Sequence, residues 1–549
     1  MPTRRLSRPP LVLAVDLPRP VTDEPPAGAL SRLLAARRPP LRQLVETIDE
    51  AAAAGRVQAL LVRIGDPVES WAHAEELRAA VARFRAAGKR AVLHAQSFGE
   101  AGNGTLAYYL ATAFDEIVLQ PMGDVVLTGL AAEVPFIAEL LDKVDVVAET
   151  DHRHEYKSVT NLLTERGFTE AHRESVDRIV ASHHEQLVAA IAAGRGVSED
   201  RAAGLADAGI VVGSRAPETG LVDRIAYRDE TVADVKAAAG PRARLVSDRA
   251  FRSQARARQL RPRRRTAIAL VHGYGAIAVG PSRRSLRGPV MGSDTVVSGF
   301  SQAIRDRRVR AILFRVDSPG GSAVASDAVW RAVCRAREAG KPVVVSMGSA
   351  AGSGGYWVSM GADRIVAQPG TLTGSIGVAF AKLVTRGLRE RFGVTVDEAH
   401  RGEHALMFSP NHRLSEDQRS EVGAYLDAVY DEFVARVATG RDLTREQVHE
   451  VARGRVWTGA DARERGLVDE LGGYQEALGT LRALLGLDSA APVRLRVLPR
   501  RPLAERLGLR TPDPEDTRAV AQGIEAVARR VTAPGAGVAE MPDWTRSVR

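Results

Sequence analysis

The sequence contains one cysteine and no long apolar run. Cys334 alone excludes an internal disulfide framework and a cysteine-based zinc site. No segment approaches the roughly 20 apolar residues that a membrane-spanning helix needs. The apolar stretch LVLAV near the N-terminus is too short for the core of a signal peptide and favours a strand. We therefore expect a protein that is cytoplasmic or peripheral at the inner face of the cell membrane.

Lysine is also scarce, because only six of the 76 basic residues are lysine and the rest are arginine. An amine can lose its proton inside a protein, whereas a guanidinium cannot. A chain that so prefers arginine is expected to keep some lysines for reasons other than positive charge. The six are Lys89, Lys143, Lys157, Lys236, Lys341 and Lys382.

The formal net charge is +9, and much of the basic excess lies in residues 252–265 and 494–510. No aromatic residues interleave these charges, as they do in many surfaces that bind single-stranded nucleic acid. We interpret both stretches as solvated and expect no nucleic-acid partner. Contact of these stretches with an anionic membrane surface stays open as an alternative.

The sequence contains an internal duplication. RVQALLVRIGDPVES at 56–70 matches RVRAILFRVDSPGGS at 308–322, and GKRAVLHA at 88–95 matches GKPVVVSM at 340–347. YYLATAFDEIVLQP at 108–121 likewise matches YWVSMGADRIVAQP at 356–369. The order of the matches is kept throughout, so the sequence predicts two copies of one domain.

Each copy alternates apolar, β-branched runs with amphipathic helices that end at glycine. This pattern predicts an α/β fold of repeated βαβ units with a mostly parallel sheet. We place an N-terminal domain at residues 1–240, a basic linker at 241–266 and a C-terminal domain at 267–487. A Pro/Arg-rich tail with one helix follows at 488–549.

The stretch MGSAAGSGGYW at 347–357 consists almost wholly of small residues and follows a buried strand. Ser353 lies between this strand and a helix, the context in which a nucleophile precedes N–H groups that can hold an oxyanion. At the matching place the first copy has Thr105 in bulkier surroundings, which we interpret as degenerate. Such turns also occur where a helix merely packs on a sheet.

A second difference between the copies lies after the first long strand. The C-terminal copy has DSPGGS at 317–322 where the N-terminal copy has GDPVES at 65–70. Gly320 and Gly321 can expose backbone N–H groups to a ligand, whereas valine and glutamate would fill that space. A plain Pro-Gly turn is the alternative.

A nucleophilic serine needs a base, and the histidines of the second copy form no recognisable triad motif. A lysine can serve if it is neutral near working pH, and arginine cannot replace it. The first copy has Lys157 in HEYKSVTNLL, whereas the aligned position of the second copy is near Glu403 and no lysine follows Lys382. One copy thus has the lysine and the other the serine, which predicts a single composite site.

With these residues the chain resembles the long, duplicated form of the signal peptide peptidase A family. Members are Ser–Lys serine peptidases with a crotonase/Clp-protease-like fold. The resemblance covers roughly residues 10–487. The motifs are YKS at 156–158, DSPGGS at 317–322, MGSAAGSGGYW at 347–357, TLTGSIGV at 371–378 and GRVWTG…GLVDELGG at 454–473.

The resemblance implies that Ser353 is the nucleophile, Lys157 the general base and Ser375 the residue that orients the lysine. It implies an oxyanion hole from the N–H of Gly354 and the Pro-Gly-Gly turn, where Gly321 is preferred over Gly320. It also implies peptide substrates such as signal peptides released from membranes or other short, unfolded apolar segments. No metal or other cofactor is implied, and four protomers are expected to form a homotetramer.

Two other functions are compatible with such a fold. One is a crotonase-like acyl-CoA lyase or hydrolase, and the other is a non-catalytic scaffold that binds peptide or lipid. Neither explains why the serine and the lysine are divided between the copies. Tandem relatives often carry an N-terminal transmembrane anchor, whereas no such segment is seen in this sequence.

Overall fold

The computed structural model describes residues 9–17, 21–23, 40–65, 69–100, 102–259, 265–285, 288–500 and 538–540. These residues form two α/β domains that follow one another in the chain.

The N-terminal domain contains nine strands and ten α-helices among the described residues. The strands are β1 (Leu11–Leu17), β2 (Val57–Ile64), β3 (Arg90–Ala95), β4 (Glu116–Leu119), β5 (Asp124–Leu127), β6 (Val147–His152), β7 (Gly209–Val212), β8 (Arg224–Ile225) and β9 (Arg244–Ser247). The helices are α1 (Leu41–Ala53), α2 (Trp71–Ala86), α3 (Thr105–Ala111), α4 (Ala138–Lys143), α5 (Asn161–Thr164), α6 (Glu170–Arg195), α7 (Glu199–Ala206), α8 (Ala216–Thr219), α9 (Arg228–Ala238) and α10 (Asp248–Gln259).

Six of these strands form one parallel sheet in the order β8-β4-β3-β2-β1-β9. Neighbouring residues of a strand point to opposite faces, and both faces are buried. Leu13 lies in the larger core with residues of α1 and α2, whereas Val12 packs in a smaller core with Val235 of α9. Burial on both faces explains why the strands read as continuous apolar runs.

The C-terminal domain repeats this plan. Its strands are β10 (Thr266–Tyr274), β11 (Ala276–Ala278), β12 (Arg283–Ser285), β13 (Gly288–Gly292), β14 (Val309–Ser318), β15 (Gly320–Ser322), β16 (Val343–Gly352), β17 (Arg364–Ala367), β18 (Leu372–Gly374), β19 (Ala379–Val384), β20 (Val456–Thr458), β21 (Glu470–Leu471), β22 (Val493–Leu498) and β23 (Val538–Glu540). Its helices are α11 (Ser293–Arg305), α12 (Ala323–Glu338), α13 (Gly354–Trp357), α14 (Arg386–Arg391), α15 (Glu416–Arg441), α16 (Arg445–Val451), α17 (Gly459–Glu464) and α18 (Tyr474–Leu484).

The two main sheets correspond strand by strand. The parallel path β21-β17-β16-β14-β10-β22 repeats the order of the first domain, and β18 and β20 continue from β16. Lys89 and Lys341 occupy equivalent places in the two domains. The amine of Lys89 donates to carbonyl groups at the C-terminal end of α1, and that of Lys341 donates to carbonyl groups at the C-terminal end of α11. The predicted tandem α/β fold with mostly parallel sheets is confirmed.

Four regular elements, β9, α10, β22 and β23, lie in ranges that the sequence analysis assigned to linker and tail. β9 and α10 fall within residues 241–266, and β9 pairs with β1. β22 falls beyond residue 487 and pairs with β10 in the equivalent way. Short edge strands carry too few residues for a clear periodic signal, so the sequence analysis did not predict β9 or β22. The helix expected at 516–531 lies outside the described residues.

Two further sheets matter for the candidate site. β6 of the first domain pairs antiparallel with β19 of the second, with Ala379 opposite His152 and Val384 opposite Val147. A five-stranded sheet has the order β12-β13-β11-β15-β23, and its last strand, Val538–Glu540, pairs antiparallel with Gly320–Ser322. Within the part of the chain covered here, no helix is both long and apolar enough to cross a membrane.

Candidate active site

The ladder between β6 and β19 brings segments of the two domains together. β6 ends at His152, and Lys157 follows five residues later, at the start of a short 3-10 helix. β19 begins at Ala379, and Ser375 precedes it in the chain. The antiparallel pairing runs from β6 toward the start of β19, and the N–H of Arg153 extends it by donating to the carbonyl of Val378. The ladder therefore places Lys157 beside Ser375.

Lys157 reaches the serine that the sequence analysis predicted as its partner. Its Nζ lies 3.0 Å from Oγ of Ser353, 3.0 Å from Oγ of Ser375 and 3.1 Å from the carbonyl oxygen of Ser375. The side chain is 1 % exposed, and Ser353 is fully buried. Both domains therefore contribute to one buried cluster within a single protomer.

Two positions that contact Lys157 require glycine. A Cβ added to Gly454, which has a φ of +84°, would lie 2.5 Å from the backbone nitrogen of Lys157. A Cβ added to Gly377 would lie 3.2 Å from Cδ of Lys157. The backbone of the second domain thus closes around the lysine from two sides.

Ser353 has the strained backbone typical of a nucleophile at a sharp turn between a strand and a helix. Its φ and ψ are 53° and −116°, a region that residues other than glycine seldom occupy. The residue directly follows β16 and precedes the single turn α13, and its N–H donates to the carbonyl of Gly374 at 2.8 Å. Such contacts with the surrounding structure hold the strained backbone, and this conformation places the hydroxyl at the lysine.

The small residues after Ser353 are required because the Pro-Gly-Gly turn passes close by. A Cβ on Gly355 would meet the carbonyl oxygen of Ser318 at 2.6 Å. A Cβ on Gly354 would meet Oγ of Ser326 at 2.6 Å and the nitrogen of Gly321 at 3.1 Å. The N–H groups of Gly354 and Gly321 therefore belong to adjacent turns beside the serine.

The N–H groups of the two glycines in the Pro-Gly-Gly turn are not equivalent. The N–H of Gly320 donates to Oγ of Ser318 at 3.2 Å, which occupies it within the turn. Gly321 lies against β11, where an added Cβ would meet the carbonyl oxygen of Ile277 at 2.2 Å. Gly321 also pairs with Ile277 of β11 and with Ala539 of β23, so the preference for Gly321 as oxyanion donor stays a prediction.

The equivalent place in the first domain lacks both partners. Tyr108 and Tyr356 donate to the carbonyl groups of Leu221 and Leu467 in the same manner, which aligns Thr105 with Ser353. The position of the second domain that aligns with Lys157 is near Glu403, in a segment without a helix or strand. The pair formed by Ser353 and Lys157 therefore has no counterpart at Thr105.

A buried group of charges across the domain interface was not found from the sequence. Arg315 of β14 is 2 % exposed, and its guanidinium donates to the carboxylates of Asp23 and Glu76, the latter at 2.7 Å. It also lies over the ring of Tyr474, 4.3 Å from the centroid. Arginine and aspartate inside the apolar run AILFRVDS were the available signal, because a buried charge needs a partner.

This group also contains three residues of types that bind metals. One ring nitrogen of His73 and one carboxylate oxygen from each of Asp23 and Asp317 all lie within 4.8 Å of one another. The guanidinium of Arg315 already supplies a cation to Asp23, with Nε at 3.0 Å. The donor set is therefore better explained as an ion-pair cluster than as a metal site.

Comparison with known proteins identifies the family. The model of Peptidase family S49 matches residues 84–241 and 335–488, together more than half of the chain. The chain is 32% identical over 423 residues to Protease 4 of Salmonella typhi, a match that covers 74% of this chain and 66% of that protein. It is 29% identical over 449 residues to the chloroplastic serine protease SPPA of Arabidopsis thaliana, which covers 80% of this chain and 64% of the relative.

The chain thus spans slightly less than two thirds of the length of these relatives. The family model nevertheless matches a segment in each of the two structural domains, as the duplication leads one to expect. The chain belongs to peptidase family S49.

Proposed function

We propose that the protein is a serine endopeptidase that uses Ser353 as nucleophile and Lys157 as general base. The single observation that carries this proposal is the 3.0 Å contact between Nζ of Lys157 and Oγ of Ser353, buried where the two domains meet. A base in hydrogen-bonding reach of a strained serine is the geometry that nucleophilic catalysis requires.

The reaction proceeds through a covalent ester. Neutral Lys157 takes the proton of Ser353 while Oγ attacks the peptide carbonyl carbon. The resulting oxyanion accepts hydrogen bonds from the N–H groups of Gly354 and Gly321. The C–N bond then breaks as protonated Lys157 gives its proton to the leaving amine, and a water molecule repeats these steps to release the acid.

Ser375 orients the lysine in this proposal. Its hydroxyl and its carbonyl oxygen both lie within hydrogen-bonding distance of Nζ, so they fix the position of the amine relative to Oγ of Ser353. Its backbone is also held, because its φ is 51° and its N–H donates to the carbonyl of Arg455 at 2.7 Å.

The proposed substrates are signal peptides released from membranes and other short, unfolded apolar peptides. An extended peptide can add to the edge of β15, since the described segment Val538–Glu540 already pairs there as an antiparallel strand. Main-chain pairing of this kind selects for unfolded substrates.

A serine-directed fluorophosphonate and an apolar fluorogenic peptide test this function together. We expect the wild type to be labelled and to cleave the peptide, and Ser353→Ala to lose both properties. Thr105→Ala is the matched control, because Thr105 occupies the equivalent position of the first domain. Labelling of Ser353→Ala at the wild-type rate would contradict the assignment.

We further propose that the chain forms a homo-oligomer, of four protomers as the family resemblance implies. Residues 392–396 correspond to 144–148 of the first domain, which lead into the paired strand β6. Val394 and Val396 are 50 % and 51 % exposed, whereas Val146 is 5 % exposed. Residues 131–136, which correspond to β19, are the proposed partner of this segment in a second copy.

Sedimentation velocity tests the oligomer. Val394→Asp combined with Val396→Asp should reduce the sedimenting mass to that of a monomer, because a buried strand face does not tolerate two charges. Met122→Asp, which changes another exposed apolar side chain, is the control. An unchanged mass in the double variant would exclude this interface.

Contact with anionic lipid is the last part of the proposal, and it concerns the basic stretch at 252–265. Its arginines would attract an acidic membrane surface, and moderate salt would weaken that attraction. Co-sedimentation with anionic vesicles at low salt, lost at higher salt, is the expected result. Failure to sediment with vesicles at any ionic strength would exclude it.

A further inference from the structure

Asp317 lies next to two turns of the candidate active site, the Pro-Gly-Gly turn and the turn that carries Ser353. It is the penultimate residue of β14, directly before the Ser318-Pro-Gly-Gly turn. The pairing of β14 with β16 shifts in register at this point, because Val316 pairs with Met347 but Ser318 pairs with Ala351. Three residues of β16 therefore face one residue of β14, as in a β-bulge just ahead of Ser353.

The carboxylate of Asp317 fills this bulge. Its Oδ1 accepts the N–H of Ala350 at 3.1 Å, and a Cβ on Gly348 would lie 2.7 Å from its Oδ2. Its carbonyl oxygen accepts the N–H of Gly275 at 2.8 Å. Movement of this side chain would therefore displace the bulge that leads into Ser353.

A histidine from the other domain faces this carboxylate. His73 of α2 is 4 % exposed, and its Nε2 lies 3.7 Å from Oδ2 of Asp23 and 3.5 Å from Oγ of Ser349, which belongs to the bulge. The ring thus lies between two acidic residues, Asp23 and Asp317. The charged groups that act on the ring are Asp23, Asp317 and Arg315. The groups that in turn interact with Asp23 and Arg315 are Glu76, His272 and Tyr474, of which the last two also interact with Arg42.

The electrostatics favour a charged ring. Burial alone would lower the pKa of His73, but the nearby carboxylates of Asp23 and Asp317 raise it above the ordinary value. Burial raises the pKa of Asp317, and His73 acts in the opposite direction. The two side chains therefore stabilise each other's charged forms.

We propose that His73 is a positioning residue, whose imidazolium holds the Asp317 carboxylate against β16 and thereby fixes the turns that carry Ser353 and Gly321. This inference rests on the proposed peptidase function. The first domain then supplies two things to the site, the lysine at one side and the support of the nucleophile turn at the other.

The test uses the rate at which a fluorophosphonate labels Ser353 in the full-length protein. His73→Gln removes the charge and leaves the partly buried carboxylate of Asp317 without its partner, so we expect labelling to slow about tenfold, as for other coupled pairs. His94→Gln is the matched control, since His94 is a buried histidine of the same domain whose Nε2 lies 3.3 Å from the carbonyl of Ala226.

A second variant separates charge from packing. Asp317→Asn keeps an oxygen for the N–H of Ala350 but removes the negative charge that His73 balances. In the Asp317→Asn background, His73→Gln should change the labelling rate by less than about threefold, because the pair no longer couples. A role of His73 in packing alone would give the same slowing in both backgrounds.

The pH profile gives an independent readout. A raised pKa means that the contribution of His73 is present at low pH and lost as pH rises through that pKa. The wild type should therefore show a fall in labelling on the alkaline side of this pKa that His73→Gln lacks.

The outcomes are distinguishable. If the wild type is labelled but His73→Gln is labelled equally fast, or the two substitutions are additive, the positioning role is wrong. If the wild type is not labelled at all, the peptidase function is wrong. Should His73→Gln fail to fold, the comparison of Asp317→Asn with the double variant still decides, since a tenfold difference between them would overturn the proposal.

Discussion

The amine of Lys157 and the hydroxyl of Ser353 lie 3.0 Å apart, although 196 residues separate them in the chain. The distance depends on the docking of two domains and on a ladder, β6 with β19, that belongs to neither main sheet. Substitutions at the interface between the two domains and substitutions at Lys157 or Ser353 should therefore both change peptide turnover.

Replacement of Lys157 should distinguish a base from a positive charge. Lys157→Arg keeps the charge but cannot accept the proton, so we expect turnover to fall by a factor on the order of 10³, close to the effect of Lys157→Ala. Lys143→Arg, on the surface of the same domain, is the control and should leave turnover unchanged. Near-normal peptide cleavage by Lys157→Arg would refute a lysine base.

Ser375→Ala should reduce turnover less than loss of the lysine does. It removes one hydroxyl contact to Nζ but leaves the carbonyl contact, so we expect a fall of roughly 10- to 100-fold, as for one hydrogen bond to a charged group. Ser359→Ala is the matched control, because its buried hydroxyl bonds to the carbonyl of Gly355 and not to the lysine. Equal turnover of the two variants would remove the orienting role of Ser375.

The domain interface should weaken as pH rises because of Glu75. This side chain of α2 accepts the N–H of Gly370 in the other domain, at 2.9 and 3.0 Å from its two oxygens. Burial raises the pKa of Glu75 from 4.5 to about 8. Between these values the folded state holds a proton that the unfolded state has lost, so stability falls with rising pH by up to about 1.4 kcal/mol per unit.

Glu75→Gln removes this proton exchange. Its free energy of unfolding, measured by urea denaturation from pH 5 to pH 8, should decrease less than that of the wild type. Glu139→Gln, an exposed position, should follow the wild type. Parallel curves for all three proteins would show that Glu75 does not titrate in this range.

The pairing of Val538–Glu540 with β15 predicts competition with substrate. An extended peptide that adds to the same edge must displace this segment. Ala539→Pro, which lacks the N–H and disfavours pairing, should lower the KM for a short peptide without raising kcat. Ala539→Ser keeps the N–H and should behave as the wild type, and an unchanged KM for the proline variant would argue against competition.

Much of this architecture was predictable because duplication supplies an internal comparison. The copies differ at Ser353 and Lys157 while the surrounding strands match, and this contrast predicted that the two residues meet, as the 3.0 Å contact shows. Ser375 came from the family resemblance, since a serine in a glycine-rich turn has no signal of its own. The ladder of β6 and β19 was not predictable, because pairing between short segments of different domains depends on how the domains dock.

The charge cluster was missed for a related reason. Arg315 and Asp317 stand out in an apolar strand, but their partners lie about 240 to 290 positions away in the chain, at Glu76 and Asp23. Nothing in local spacing connects a histidine in α2 with a bulge in β16. Such long-range electrostatic contacts require coordinates.

The division of the reacting pair between two domains also has a consequence for biosynthesis. The ribosome synthesises Lys157 first and reaches Ser353 only 196 positions later in the chain. Until the later half has folded and docked, the nascent polypeptide has no proton acceptor next to an attacking oxygen. Under the proposed mechanism, the nascent chain therefore cannot cleave its neighbours before the second domain is complete.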